Sequence, residues 1–267
     1  MLQGKYLEAL KKLRLIDDAF FSACFDDNAK DVEYILRIIL EKDDLQVLKV
    51  QTQKSVENMY GRSVRFDVFA TDTKGKLYNI EVQRTDSGAI PARARYNSVM
   101  LNYHELNKQE DFKKLPESFV IFITEKDVIG DGEKIYHADR IIRETCKDFN
   151  DGTHIIYVNG SFKEEKGNPL DDLIHDFFCA NPDDMRHKQL AERVKFLKEN
   201  KNEVNSMSSI IAEIFKDEIA EAKAESEKKK LLENIRSLME TLNFTAKQAM
   251  NALKVPENEQ SKYMALI

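Results

Sequence analysis

The sequence predicts an α/β fold with a mixed sheet and a helical C-terminal extension. Three observations lead there. Stretches of helical periodicity fall before, between and after apolar runs of β type. A chain of 267 residues that is 42% hydrophobic can bury one main core. Beyond residue 208 the chain turns polar and helix-forming, with apolar side chains recurring at helical steps. The expected organisation is a main domain over residues 1–200, a charged helical connector over 201–243 and a small helical hairpin over 244–267.

Residues 17–41 place Phe20, Phe21, Cys24 and Phe25, then Val32, Ile35, Leu36 and Ile39, at helical spacing, with Asp26-Asp27-Asn28 between the two groups. Two amphipathic helices follow. Strands are predicted over Leu45–Val50, Val64–Ala70, Leu77–Val82, Phe119–Thr124 and His154–Val158, several bounded by Gly, Asn or Asp. Between the third and fourth, Ile90-Pro91 opens a helix expected to carry Val99, Met100, Tyr103 and Leu106 on one side. Pro169–Phe178 and Met185–Leu197 read as further helices. Asp217 to Lys230 is almost entirely charged or Ala, which suits a solvated connector better than a dimeric coiled coil, because a sustained apolar seam is missing. Thr245 reads as an N-cap and Pro256 as the start of a last helix.

Composition excludes several function classes. No run approaches the ~20 apolar residues of a membrane span, and the charged N-terminus does not fit a secretory signal, so a cytoplasmic protein without a membrane partner is expected. The three cysteines show no CxxC spacing and read as buried, reduced thiols. The five histidines form no HExxH pair, and Walker A, GxGxxG and GxSxG motifs are absent. The net charge of −6 argues against a chain wrapped in nucleic acid. Between Arg62 and Arg95, however, seven Lys/Arg face four Asp/Glu, a local excess suited to phosphate.

The chemistry concentrates in RFDVFATDTKGKLYNIEVQR, residues 65–84. Two apolar strands joined at Lys74-Gly75 carry Asp67, Glu81 and Gln83 among Phe66, Val68, Ile80 and Val82, where ionisable groups are costly unless paired or bound to metal. Glu81 and Gln83 share a strand face. If the turn pairs the strands, Asp67 lies beside them, and two carboxylates on adjacent strands offer hard oxygen ligands to one Mg²⁺. The competing expectation is surface ion pairing of Asp67 and Glu81 with Arg65 or Arg84 on a solvated sheet face.

The Asp-x(13)-Glu-x-Gln arrangement resembles the metal-binding core of PD-(D/E)XK nucleases, specifically the Rpn/YhgA-like group of PD-(D/E)XK family transposases, or recombination-promoting nucleases. IDDAFF, ILRIIL, GRSVRFDVFATD, YNIEVQR, ARARYNS, LPESFVIFITEKDVIG, HIIYVNG and IHDFFCANPDDM extend the likeness over about residues 15–200. The resemblance implies a restriction-endonuclease-like core, α-β-β-β-α-β. It also implies Asp67 and Glu81 as ligands of Mg²⁺ or Mn²⁺, with Gln83 standing where most of the superfamily has Lys. It adds an acid from the first helix, at Asp17-Asp18, with Asp17 the better fit to the spacing and N-capping as the other role for that pair. Arg84, Arg93, Arg95 and Tyr96 are the candidate DNA contacts, against a reading of the helical ones as a solvated face. The implied activity is a metal-dependent DNA endonuclease linked to recombination or mobile elements. The alternative is an inactive DNA-binding or assembly module of the same fold, with its C-terminal helices engaging a partner or a second copy. No DDE transposase chemistry is indicated.

Overall fold

The computed structural model describes residues 10–163, 165–200, 230–239, 241–242, 244–253, 255–256, 260 and 263–264. The chain divides into two compact units, residues 1–208 and 209–267.

In the first unit, helices α1 (Asp18–Phe25) and α2 (Ala29–Leu40) precede β1 (Val47–Val56), β2 (Val64–Asp72) and β3 (Leu77–Gln83). Asn28 accepts the Asp31 N–H and so starts α2, while Glu41, in the left-handed region, ends it with its N–H on the Arg37 carbonyl. Helix α3 (Pro91–Leu101) crosses over to β4 (Ser118–Thr124), and β5 (Ile135–Ala138) and a short hairpin, β6 (Ile141–Ile142) and β7 (Lys147–Asp148), lead to β8 (Thr153–Asn159). Helices α4 (Pro169–Phe178) and α5 (Lys188–Glu199) complete the unit.

The six-stranded sheet has the order β1-β2-β3-β4-β8-β5. The first three strands are antiparallel; β3, β4 and β8 run parallel, and β5 is antiparallel to β8. β4, SFVIFIT, is buried throughout, as a central parallel strand covered on both faces must be. Helix α1 packs on β1, β2 and β3, whereas α3 packs on β4 and β8, placing Ala94, Met100 and Leu101 against Val120, Phe122 and Tyr157.

Several expectations are corrected. β1 extends to Val56 rather than Val50, because it pairs with β2 along its whole length from Val47↔Asp72 to Val56↔Val64. Its polar QTQKS segment belongs to an edge strand, which pairing rather than propensity stabilises. Helix α3 ends at Leu101, so Tyr103 and Leu106 lie beyond it, and Val99 is exposed; the buried face is Ala94, Asn97, Ser98, Met100 and Leu101. Helix α5 starts at Lys188 rather than Met185, because Pro182–Asp184 forms a 3₁₀ turn and Asp176 holds the N–H groups of Arg186 and His187. Of the cysteines only Cys24 is buried; Cys146 is exposed and Cys179 half-buried. Strands β5 to β7 left no readable pattern in the sequence.

In the second unit, residues 230–239 are helical, and Thr245 caps α6 (Ala246–Ala252) through a reciprocal capping box with Gln248. Ile235, Ala249, Met250 and Val255 form a small buried cluster. Residues 201–229, which include most of the expected connector, and most of the last expected helix lie outside the described residues.

Candidate active site

The site forms where the sheet splits. The β2–β3 hairpin closes at Gly75, whose positive φ of 79° suits only glycine well, and Asp72 holds the turn by accepting the N–H groups of Lys74 and Lys76. The ladder between the two strands runs from Thr71↔Leu77 to Val68↔Ile80 and stops. From there β2 continues with β1 to Val64, and β3 continues with β4 to Gln83↔Thr124. The next residues out, Asp67 and Glu81, face each other across the split, and their carboxylates replace the missing ladder partners. Asp67 N–H donates to Glu81 Oε1 at 3.4 Å, and Val82 N–H donates to Asp67 Oδ2 at 3.1 Å.

Both acids are buried, at 5% and 0% exposure, so the expectation of solvated ion pairs with Arg65 or Arg84 does not hold. Burial pushes the Asp67 carboxyl well above the usual range, and the nearby charges of Glu81 and then Asp18 push it further. Burial also raises Glu81, with Arg93 pulling in the opposite direction. Arg93 NH2 lies 3.0 Å from Glu81 Oε2, and its NH1 donates to the Gly88 carbonyl at 2.8 Å. The cationic group beside the acids therefore comes from α3, not from the ExQ position.

A cavity of about 570 Å³ opens at Asp67, with Glu81 fully buried, and is lined by Asp18, Arg62, Arg65, Asp67, Gln83, Arg93, Tyr96 and Asn97. Gln83 lies against Gly88, in space that a Cβ at residue 88 would share with its carboxamide. Arg93, Tyr96 and Asn97 stand at i, i+3 and i+4, one face of α3. Arg95, two residues from Arg93, is turned about 200° around the helix and is exposed outside the cavity. Tyr96 spends its hydroxyl on the Arg62 carbonyl at 2.5 Å. Arg84 bridges Asp17 and Glu125.

The structure separates the two candidate acids of the first helix. Asp17 Oδ2 accepts the Arg14 N–H at 2.8 Å, and Oδ1 meets Arg84 at 3.1 Å; Asp18 lines the cavity. Asp18 is held by Gln53 of β1, whose Nε2 reaches Asp18 Oδ1 at 3.3 Å and Ser22 Oγ at 2.5 Å. Gln53 is a non-glycine residue at φ 49°, a strained conformation on the strand segment that pairs with β2 beside Asp67. Gln53 carried no spacing signal in the sequence, whereas Ser22 and Asn97 stand four residues after Asp18 and Arg93 on the same helices. Strand β1 brings Gln53 in, α1 carries Ser22 and the buried face of α3 carries Asn97.

The donor set is suited to a hard divalent cation. Asp67 Oδ2 has a single donor, and no donor among the described residues reaches Oδ1, although the group is buried and borders two further carboxylates. Like-charged oxygens collected without enough donors are stabilised by a cation with oxygen preference.

The family model described as PD-(D/E)XK nuclease family transposase matches residues 26–252. The chain belongs to this family. The match takes in Asp67, Glu81, Gln83 and Arg93, and it begins after Asp17 and Asp18. The six-stranded mixed sheet flanked by helices is consistent with a PD-(D/E)XK nuclease-like fold. No curated protein and no solved structure gives a significant match. Among the described residues no helix is long and apolar enough to cross a membrane.

Proposed function

We propose that this nuclease-family chain is a divalent-metal-dependent DNA endonuclease acting in the cytoplasm in recombination or on mobile elements. The observation that carries the reading is the pair of buried, adjacent carboxylates Asp67 and Glu81 at the sheet split, of which Asp67, with one donor for two oxygens, lines a cavity bordered by three arginines. Asp67 and Glu81 would hold Mg²⁺ or Mn²⁺, with Asp18 as the acid contributed by the first helix in place of the expected Asp17. Such an ion supplies Lewis acidity toward the phosphodiester and lowers the pKa of attacking water.

The remaining work falls to side chains of the chain itself. Arg62 and Arg65 attract and orient the DNA phosphates at the cavity rim. Gln83, neutral and lying against Gly88, orients water or a phosphate oxygen by hydrogen bonding. Arg93 brings the fixed positive charge that Gln83 lacks, and charge developing on the phosphate is neutralised from α3. Gln53 and Ser22 position Asp18.

One observation favours the second reading, an inactive DNA-binding module: both Glu81 oxygens are engaged, by the Asp67 N–H and by Arg93. A plasmid assay decides between the two. The active reading expects purified protein to nick supercoiled DNA with Mg²⁺ or Mn²⁺, to stop with EDTA, and to lose nicking with Asp67→Asn. DNA binding without nicking in either metal would establish the module instead.

A further inference from the structure

The connection between β1 and β2 presents Met59 and Tyr60 almost wholly to solvent, at 82% and 93% exposure. Exposed apolar residues such as Leu48 and Phe112 stand singly and need no explanation. Met59 and Tyr60 are adjacent, as the less exposed Ile141 and Ile142 also are, and they sit at the tip of a turn that is pinned. Asn58 N–H donates to Ser63 Oγ at 3.1 Å, Asn58 Oδ1 accepts the Tyr60 N–H at 3.1 Å, and Tyr96 donates its hydroxyl to the Arg62 carbonyl. Gly61 leaves room for the Asn58 side chain, which a Cβ would meet at 2.9 Å. This network orders the backbone of the turn while leaving its largest side chains unused by the fold. Arg62, two residues beyond Tyr60, already lines the cavity.

We propose that this tip is a DNA wedge, with Tyr60 stacking on an unpaired base of the strand whose phosphate occupies the cavity. The inference rests on the DNA reading of the site above. Charge supports this occupant: Arg62, Arg65 and Arg93 surround the cavity and set a phosphate backbone beside the tip. Geometry sets the distance. At about 3.3 Å per residue, the end of the β1–β2 ladder at Val64 lies about 10 Å from Asp67 and the tip lies beyond it, some three to six steps of about 3.4 Å along a strand. Stacking on an aromatic ring is tolerant of base identity, so the wedge confers preference for unpaired DNA rather than for a sequence.

The test uses the full chain with Asp67→Asn to prevent cleavage. Binding is measured by fluorescence anisotropy on a duplex and on the same duplex with a central unpaired bubble containing 2-aminopurine. The bubble is expected to bind about tenfold or more tighter, with the 2-aminopurine emission quenched on binding. Adding Tyr60→Ala should remove both the preference and the quenching while keeping the salt dependence, and Tyr60→Phe should keep all three. A bubble preference unaltered by Tyr60→Ala overturns the wedge, as does equal binding of duplex and bubble by the parent protein; both results are also expected if the tip instead docks a protein. Chain with Asp67 intact, assayed on plasmid in parallel, separates the two ideas. Nicking without a Tyr60 effect sinks the wedge alone, whereas neither binding nor nicking sinks the DNA reading with it.

Discussion

Asp67 and Asp176 are both buried carboxylates of the first unit, and they differ in how their oxygens are filled. Asp176 Oδ1 accepts the Arg186 N–H at 2.7 Å; its Oδ2 accepts the His187 N–H at 2.8 Å and lies 2.9 Å from His187 Nδ1. It ties the end of α4 to the start of α5. Asp67 has one donor for its two oxygens and two acids for neighbours. Asp176 also belongs, with His175 and Cys179, to a group whose ligand atoms lie within 4.8 Å of one another. Proximity alone would mark that group as a metal centre; counting donors marks Asp176 as a structural clasp. The comparison teaches that a buried acid is assigned by what its lone pairs already hold.

The largest expected effect tests the under-filled acid. Asp67→Asn should lower plasmid nicking by about a thousandfold or more, since a ligand and an anionic charge leave together. Without metal its thermal stability should be unchanged or raised, because the cost of burying an ionisable group and its like-charge contact with Glu81 are both relieved. A drop of several kcal/mol would show that Asp67 is a clasp like Asp176.

Asp176→Ala should do the reverse. It orphans two backbone N–H groups and a histidine ring, and about 3–5 kcal/mol of stability should be lost in denaturant unfolding. Nicking per folded molecule should persist. Selective loss of nicking in a fully stable variant would contradict the comparison.

A smaller effect comes from pH. Asp67 and Glu81 have folded pKa values raised above their unfolded ones, so the metal-free folded state holds more protons than the unfolded state. Their contribution is fully present below the ordinary carboxylate values near 4 and is lost as pH rises through the raised folded values. Melts of metal-free protein should therefore show stability falling with pH across that window, by up to about 1.4 kcal/mol per pH unit for each titrating proton. Asp67→Asn should flatten the slope, and Mg²⁺ should oppose the loss at neutral pH. An identical slope in wild type and variant would show that the pair does not titrate.

The smallest effect separates two arginines on one helix. Arg93→Ala should weaken DNA binding and reduce its salt dependence by up to about one unit of log–log slope. Arg95→Ala, outside the cavity, should change stability by less than about 0.5 kcal/mol and leave the slope nearly unaltered. Equal effects of the two in a salt titration would extend the DNA surface around α3.

Much of the core was legible because its signals are local. Burial on both faces makes β4 a continuous apolar run, and the Lys74-Gly75 turn announces the β2–β3 hairpin. Strands β5 to β7 and the extension of β1 were not legible, because polar edge and hairpin segments take their shape from pairing partners, and nothing in QTQKS identifies its partner on β2.

By itself the sequence determined that Glu81 and Gln83 share one sheet face, since side chains alternate along a strand; it was the observed register, Val68↔Ile80, that put Asp67 on the same face, because a one-residue slip would have turned it away. The sequence also carried the family resemblance along most of the chain. Only the tertiary structure placed Asp18 rather than Asp17 on the cavity, turned Arg93 onto Glu81 and brought a strained Gln53 to hold Asp18. Periodicity determines which residues share a face within one element. Which lone pair receives a donor depends on elements remote in sequence, whose approach is set by the packing of the whole core.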